Sequence, residues 1–316
     1  MNGVLVVDKP EGITSFDVLN RVKRMVGAKK AGHTGILDAF AGGVLPVFFE
    51  EATKLIPYIQ DGSRTYEALV TLGIETDTLD QKGDILAHAD IPAVDNRFIE
   101  EVLRSFCGET WQVPPKFCAK KIHGKRASDL ARKGVEVSLN PVKVFIRAIE
   151  LLDVSLPNLT IRVYCQKGTY IRSLARDIGR KIGTLAMLKS LVRTQCGPFV
   201  LSEAASPSAM GLEGSSALHG RVLPIETFVR RLFPDVMVTP RGARRFFQGE
   251  RVAFEDVNLS NLDGVRVEKE GMVSVFEGHQ RLRLIGVGQA VVPLERNARL
   301  WPGLGVIQPS RVIFMS

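Results

Sequence analysis

Gly32-His33-Thr34-Gly35-Ile36-Leu37-Asp38-Ala39-Phe40-Ala41-Gly42-Gly43-Val44-Leu45-Pro46-Val47 holds one acid, Asp38, in an otherwise apolar run with four glycines. Glycine admits positive φ and lets another molecule come close to the backbone. A carboxylate alone in such a setting is costly unless something uses it. Two uses fit the residue type. Asp38 caps a helix that starts near Ala39, or it works as a nucleophile or base.

On the N-terminal side, Val4-Leu5-Val6-Val7 reads as a short buried strand and Asp8-Lys9-Pro10-Glu11-Gly12 as a turn. Thr14 or Ser15 then caps a helix over Phe16 to Val26, with Asp17 at capping-box spacing from Thr14 and Gly27 as the stop. On the C-terminal side come Val47-Phe48-Phe49 and a short helix near Ala52 to Ile59. Arg64 to Leu72 alternates polar and apolar residues, as a half-buried strand does. Leu72 to Gly83 reads as a surface loop, Ile91 to Phe106 as a helix, and Phe106 to Pro115 as a strand broken by Pro114-Pro115.

Lys116 to Lys133 has seven Lys or Arg residues and His123 against one acid, Asp129. That imbalance suits a phosphate-contacting surface and also an ordinary solvated face. Strands are expected around Val142–Val154 and Leu159–Lys167. Lys167-Gly168-Thr169-Tyr170-Ile171-Arg172 then turns into a helix with Arg172, Arg176 and Arg180 on one face. Leu185–Leu191 reads as a short helix and Arg193–Phe199 as an edge strand. A Ser-, Ala- and Gly-rich linker follows over about 202–222, and then a helix from Leu223 to Phe233. Beyond residue 234, Thr239-Pro240 opens a basic helix ended by Gly249, and short strand runs follow in a small all-β unit.

The bulk figures are less specific. The chain has 316 residues, 45% hydrophobic, enough for a real core. Its 42 basic and 34 acidic residues leave a net charge of +8, which favours a polyanionic partner. Its four cysteines show no Cys-x-x-Cys spacing, so a zinc ribbon is not expected. No signal peptide and no long apolar run are evident, so no membrane association and a cytoplasmic location are expected.

No P-loop, nucleotide fingerprint, histidine pair at metal spacing or Gly-x-Ser-x-Gly elbow is present. A carboxylate that acts without a metal remains. Tyr66 on its strand and Arg172 on its helix are partners that such a group needs. Arginine holds a carboxylate in place, and tyrosine can stack on a flat ring or move a proton.

The run at 32–47 resembles the signature loop of the TruB-type pseudouridine synthases. The resemblance extends in order through Asp8-Lys9-Pro10-x-Gly12-x-Thr14-Ser15, Arg64-x-Tyr66, Gln112-Val113-Pro114-Pro115 with Gly124-Lys125-Arg126-Ala127, and Lys167-Gly168-Thr169-Tyr170-Ile171-Arg172-Ser173-Leu174. It implies an α+β fold, with a mixed, largely antiparallel central sheet flanked by helices, and a small C-terminal β-barrel. The implied division is a catalytic domain over 1–233 and a PUA-like RNA-binding domain over 234–316, the latter resting notably on Leu284-Ile285-Gly286-Val287-Gly288.

The implied reaction is isomerisation of the T-loop uridine of tRNA (position 55) to pseudouridine, without a cofactor. Asp38 is then the nucleophile on a flipped-out uridine. Tyr66 stacks on the uracil and transfers a proton, and Arg172 pairs with Asp38. His33 supports the flipped base, Tyr170 lines the pocket, and Leu191 packs beside the base. Lys9 binds substrate, Lys120, Lys121, Arg126 and Arg176 bind the RNA backbone, and the loop glycines make room for the nucleotide. The chain departs from the family pattern at Ala39 (commonly Pro), Gly42 (Thr), Arg64 (Lys), Cys118 (Ser) and Ser128 (an aromatic). The implied partner is the tRNA T-arm, met by a monomer that needs no protein partner. A non-catalytic RNA-binding protein, a synthase guided to ribosomal RNA by a partner complex, and a nucleoside hydrolase are the competing readings.

Overall fold

The computed structural model describes residues 1–59, 62–122, 124–206, 218–258, 266–268, 270–278, 283–294 and 304–313. The order opens with β1 (Gly3–Lys9), α1 (Ser15–Val26), β2 (Ala31–His33) and β3 (Gly42–Phe49), then a 3₁₀ segment (Glu50–Tyr58). It continues with β4 (Arg64–Leu72), β5 (Ile74–Thr76), β6 (Ile85–His88), α2 (Asn96–Arg104), β7 (Gly108–Gln112), β8 (Lys121–Ile122), β9 (Lys125–Arg126) and α3 (Ala127–Ala131). Next are β10 (Val142–Ser155), β11 (Asn158–Cys165), α4 (Ile171–Ile182), β12 (Ala186–Cys196), β13 (Phe199–Val200), β14 (Leu223–Pro224) and α5 (Ile225–Leu232). The last are β15 (Asp235–Val238), α6 (Pro240–Phe247), β16 (Val252–Ala253), β17 (Val257–Asn258), β18 (Met272–Glu277), β19 (Arg283–Ala290) and β20 (Gly305–Val312).

The main sheet runs β14-β1-β3-β12-β4-β11-β10-β7, with β2 on β3 and β13 on β12. Every pairing in it is antiparallel except β12 with β3. Helices α2 and α4 cover β4, β10, β11 and β12 through Ile99, Leu103, Leu174 and Ile178 against Val70, Ile161 and Leu188. Helix α1 packs Val18 and Val22 onto Leu5 and Val47. Each fully buried Val or Leu of this kind contributes about 1.5–3 kcal/mol. The start of α1 follows the expected chemistry: Thr14 accepts from the Asp17 N–H, Asp17 accepts in return from the Thr14 N–H, and Gly27 closes the helix in the left-handed region. A second sheet, β16-β20-β19-β18-β15-β17, is barrel-like and nearly closed. It shares an apolar cluster with the first: Phe276, Leu284, Val287 and Ile313 pack with Phe48, Phe199 and Phe228.

Several expectations need correction. Leu185–Leu191 is not helical, and Arg193–Phe199 does not begin an edge strand. Phe199 starts the short β13, and residues 186–196 form β12, which pairs with it and sits between β3 and β4 in the middle of the sheet. A register shift between Leu188 and Ser190 inserts a residue into that strand. The insertion breaks the two-residue alternation and leaves the leucines at helical spacing. Leu72–Gly83 is not a solvated loop, because β5 pairs with β6, and Thr76, Leu79 and Asp80 are buried. Backbone bonds from Leu188 N–H to the Leu79 carbonyl and from Gln81 N–H to the Leu188 carbonyl fasten it to β12. The helix expected at 91–106 is shorter, starting after Asp95, which caps it through the Phe98 N–H. At the ends of the expected linker, Ala205 and Leu218 are buried in the α1 cluster. Residues 207–217 between them, and His123 of the basic segment, lie outside the described residues.

Candidate active site

Asp38 lies in the turn that joins β2 to β3. No helix follows it; the Ala41 N–H bonds back to the Asp38 carbonyl in a tight turn, so the helix-cap reading fails. Ser15, at the start of α1, fixes the turn from one side. Its Oγ accepts from the Leu37 N–H at 2.9 Å and donates to the Leu37 carbonyl at 3.1 Å. Lys9 fixes it from another. That ammonium is fully buried and donates to the carbonyls of Pro10, Ile13 and Ala39. Burial lowers its pKa to about 8, against the pull of Asp38 and Glu11. Lys9 therefore holds the loop, and the structure does not place it on a surface open to RNA.

The glycines have a use different from the one expected. Gly43 has φ +100°, and a Cβ there would overlap the Arg193 backbone, where β3 meets β12. Gly35 has φ +66°, and its Cβ would press on the Arg193 and Arg64 guanidinium groups. Those two glycines make room for other parts of this chain, not for a guest nucleotide.

Arg172 reaches Asp38 from the first turn of α4. Its Nε is 2.8 Å from Asp38 Oδ2, and its Nη2 donates to Oδ1 at 3.1 Å. Further donors go to the Thr78 carbonyl at 2.9 Å and the Phe117 carbonyl at 2.9 Å, and Asp80 Oδ2 faces Nη1 as an ion pair at 3.6 Å. Asp80 is itself buried and accepts from the Thr78 hydroxyl and the Lys82 N–H. Nothing in the sequence marks Asp80, because the polar, turn-rich run around it predicts a surface loop. A carboxylate held by a fork of two N–H donors, with its other face open, is positioned for attack.

The cleft around Asp38 has a volume of about 250 Å³ and is lined by Tyr66, Cys118, Tyr170, Leu191 and Arg64, among others. Tyr66 is buried on β4, and burial pushes its hydroxyl pKa up, opposed by Arg193 and Arg64. Tyr170 precedes α4. Its backbone is clamped by Gln112, whose amide accepts from the Tyr170 N–H at 2.8 Å and donates to the Tyr170 carbonyl at 3.1 Å. Burial, with Cys118 beside it, raises the Tyr170 pKa to about 12. Both phenols are neutral at physiological pH.

Not every expected site residue lines this cleft. His33 ends β2, and its buried Nδ1 has no partner; burial and Arg193 lower its pKa. Lys121 and Arg126 are exposed on the β8–β9 hairpin, and Lys120, just before it, is half-buried. Arg176 is partly used locally, donating to Asp177 at 2.8 Å and to the Val113 carbonyl at 3.3 Å. Arg193 was not singled out from sequence. Its position two residues after Leu191 on one strand was the available signal, since such residues share a face.

Residues 23–171 match the family model described as TruB family pseudouridylate synthase, N-terminal domain. A tRNA pseudouridine synthase B of Dehalococcoides mccartyi (strain CBDB1) is 39% identical over 280 residues, covering 88% of this chain and 92% of that protein. One of Burkholderia mallei (strain NCTC 10247) is 37% identical over 313 residues, covering 99% of this chain and 97% of that protein. The chain belongs to the TruB family of pseudouridylate synthases. The TruB fold is shared with the solved chain described as "Structure of H/ACA RNP bound to a substrate RNA containing 2'-deoxyuridine" (TM-score 0.70, 22% identity, 99% of this chain and 85% of that one). A chain from a Cbf5-Nop10-Gar1 complex is similar in fold (TM-score 0.68, 22% identity, 98% and 84%). Within the described residues no helix is long and apolar enough to cross a membrane.

Proposed function

We propose that this chain isomerises uridine to pseudouridine in the T-loop of tRNA, with Asp38 as the nucleophile on a flipped-out uridine. The observation that carries this reading is the fork between Arg172 and Asp38 at the rim of a cleft that also holds Tyr66 and Leu191. The reaction breaks the bond from ribose C1′ to uracil N1, turns the ring, and rejoins it through C5. It is redox-neutral. Flipping costs a few kcal/mol, and stacking on an aromatic ring returns about 1–3 kcal/mol. Tyr66, buried and protonated, supplies that ring and a proton donor. Leu191 and Tyr170 shape the base pocket, and His33 supports the flipped base from the loop arm beside it.

Lys120, Lys121, Arg126 and Arg176 bind phosphates and set the register without reading sequence. Specificity then comes from the folded shape of the T-arm. Residues 234–316 act as a PUA-like RNA-binding domain on the catalytic domain 1–233. The chain works as a cytoplasmic monomer without a protein partner. Relatives that are 37% and 39% identical over most of their length carry the name tRNA pseudouridine synthase B, which supports this reading over the guided one.

The test is incubation of the purified chain alone with an unmodified tRNA transcript, followed by pseudouridine mapping and a search for free uracil. Pseudouridine in the T-loop, with no free base, is the expected result. Free uracil would indicate a hydrolase, and product only after other proteins are added would indicate a guided enzyme.

A further inference from the structure

Arg172 has no donor to spare, but two other guanidinium groups beside the cleft are not fully used. Arg193 is fully buried; it donates through Nε to the Val44 carbonyl at 2.8 Å and through Nη2 to the Gly35 carbonyl at 3.1 Å; its Nη1 makes no bond within ordinary hydrogen-bond distance, and the Tyr66 hydroxyl is the polar group that feels this guanidinium. Arg64 is 9% exposed and lines the cleft. Its Nη1 is buried without a partner, and among the described residues its guanidinium makes no hydrogen bond or ion pair. A buried cation left unpaired destabilises the fold. Arg64 and Arg193 lie beside one cleft, and among the described residues neither has a carboxylate partner.

Their placement follows from the sheet. Arg64 and Tyr66 are two residues apart on β4, so they share a face. Arg193 is the register partner of Tyr66 on β12. Gly35, on the cleft wall, lies against both cations, its virtual Cβ 2.9 Å from Arg193 Nη1 and 3.4 Å from Arg64 Nη2. Arg172 neutralises Asp38, whereas the positive charge beside Tyr66 has no acid to neutralise it among the described residues.

We infer that Arg64 is a catalytic residue whose guanidinium stabilises the uracil anion expelled from the ribose, with Arg193 adding positive charge from behind Tyr66. This rests on the reading of the chain as a pseudouridine synthase. When the C1′–N1 bond breaks, its electron pair leaves with the ring and spreads over N1, O2 and O4. On the sugar, an Asp38 oxygen bonds to C1′, or Asp38 takes the C2′ proton and a C1′–C2′ double bond forms. The turned ring then attacks C1′ through C5. The Asp38 oxygen departs, or the proton returns to C2′. The C5 proton is lost and N1 takes one up, so nothing is consumed. Both routes pass through the same anion. A fixed cation in a site closed to water stabilises such charge without reorganising. Free donors are what this role requires, and an arginine already paired with a carboxylate could not fill it.

The test compares Arg64→Met, Arg64→Gln and Arg64→Lys with the wild type in single-turnover isomerisation, tRNA binding and thermal unfolding. The Met and Gln variants are expected to lose about 10²-fold or more in rate. Their Kd should stay within about threefold and their Tm should be unchanged or higher, because an unpaired buried cation has gone. Arg64→Lys should recover the rate to within about tenfold of the wild type. A wild-type rate in folded Arg64→Met, a rate loss that tracks a fall in Tm, or a loss confined to Kd would each overturn the inference. If the wild type itself makes no pseudouridine, the functional reading fails along with it. If the wild type is active and Arg64→Met matches it, only this inference fails.

Discussion

Arg172 and Asp38 form a two-point contact in which one partner is buried and the other is not: the side chains are 6% and 39% exposed. The guanidinium is held from the protein side by the Thr78 and Phe117 carbonyls and by Asp80. The carboxylate keeps a face toward the cleft. The scaffold thus fixes the cation, and the cation fixes the acid.

Asp38→Asn keeps the shape of this contact and removes the nucleophile. Turnover should fall by about 10³-fold or more, while the Kd for tRNA changes by no more than about threefold. Pseudouridine mapping and filter binding on one preparation check both parts. Full activity in this variant would rule out Asp38 as the working group.

Arg172→Met leaves Asp80 buried with its cation gone. The expected cost is about 3 kcal/mol of stability, in addition to lost activity. Urea unfolding measures it. A variant of unchanged stability would mean that the network around Asp80 is incidental.

Tyr66→Phe keeps the ring and removes the hydroxyl. Binding should hold and the rate should drop by about 10²-fold to 10⁴-fold if the hydroxyl moves a proton. Burial raises the Tyr66 pKa. The wild-type rate should therefore show no fall from tyrosine ionisation at any pH below about 10.

Lys9 ties folding to pH. Its pKa is about 8 in the folded chain, against 10.5 for the free side chain. Between those values the unfolded chain holds a proton that the folded chain has released. The Lys9 contribution to stability therefore rises with pH across that window and is level below it. Urea midpoints of the wild type and Lys9→Met, taken at about pH 7 and about pH 10, give the sign: the wild type should gain on the variant at the higher pH. A gain at the lower pH would contradict the burial of a charged amine.

Salt tests the phosphate surface. A log–log plot of tRNA affinity against salt should fall steeply, and Lys121→Ala or Arg126→Ala should each reduce the slope by about 1. A flat plot would mean that the β8–β9 hairpin does not meet the RNA backbone.

Local signals were legible in the sequence where they coincided with the tertiary arrangement. The capping box at Thr14 and Asp17, the alternation over Arg64–Leu72 and the stop at Gly27 all belong to elements that form as their residue types dictate. The motifs around Asp38 and Arg172 likewise pointed to two side chains that are hydrogen-bonded. What stayed hidden depended on distant partners. The extra residue after Leu188 disguised a central strand as a helix. Asp80 gave no sign of being buried, because its burial comes from β12 lying against it. Lys9 reads as a turn residue that binds substrate, and only the fold brings three carbonyls to it. Gly43 looked like space for a ligand, but β12 fills that space.

The apolar cluster shared by the two sheets has a mechanical result. Phe276 and Leu284 of the second sheet sit in one packed group with Phe48 and Phe228 of the first, and the Lys54 ammonium donates to the Val312 carbonyl across the same seam. Packed interiors deform little. The span from the barrel-like sheet to Asp38 is therefore a constant of the molecule, a gauge rather than a hinge. An RNA held by the second sheet, as proposed above, would meet Asp38 at a set distance.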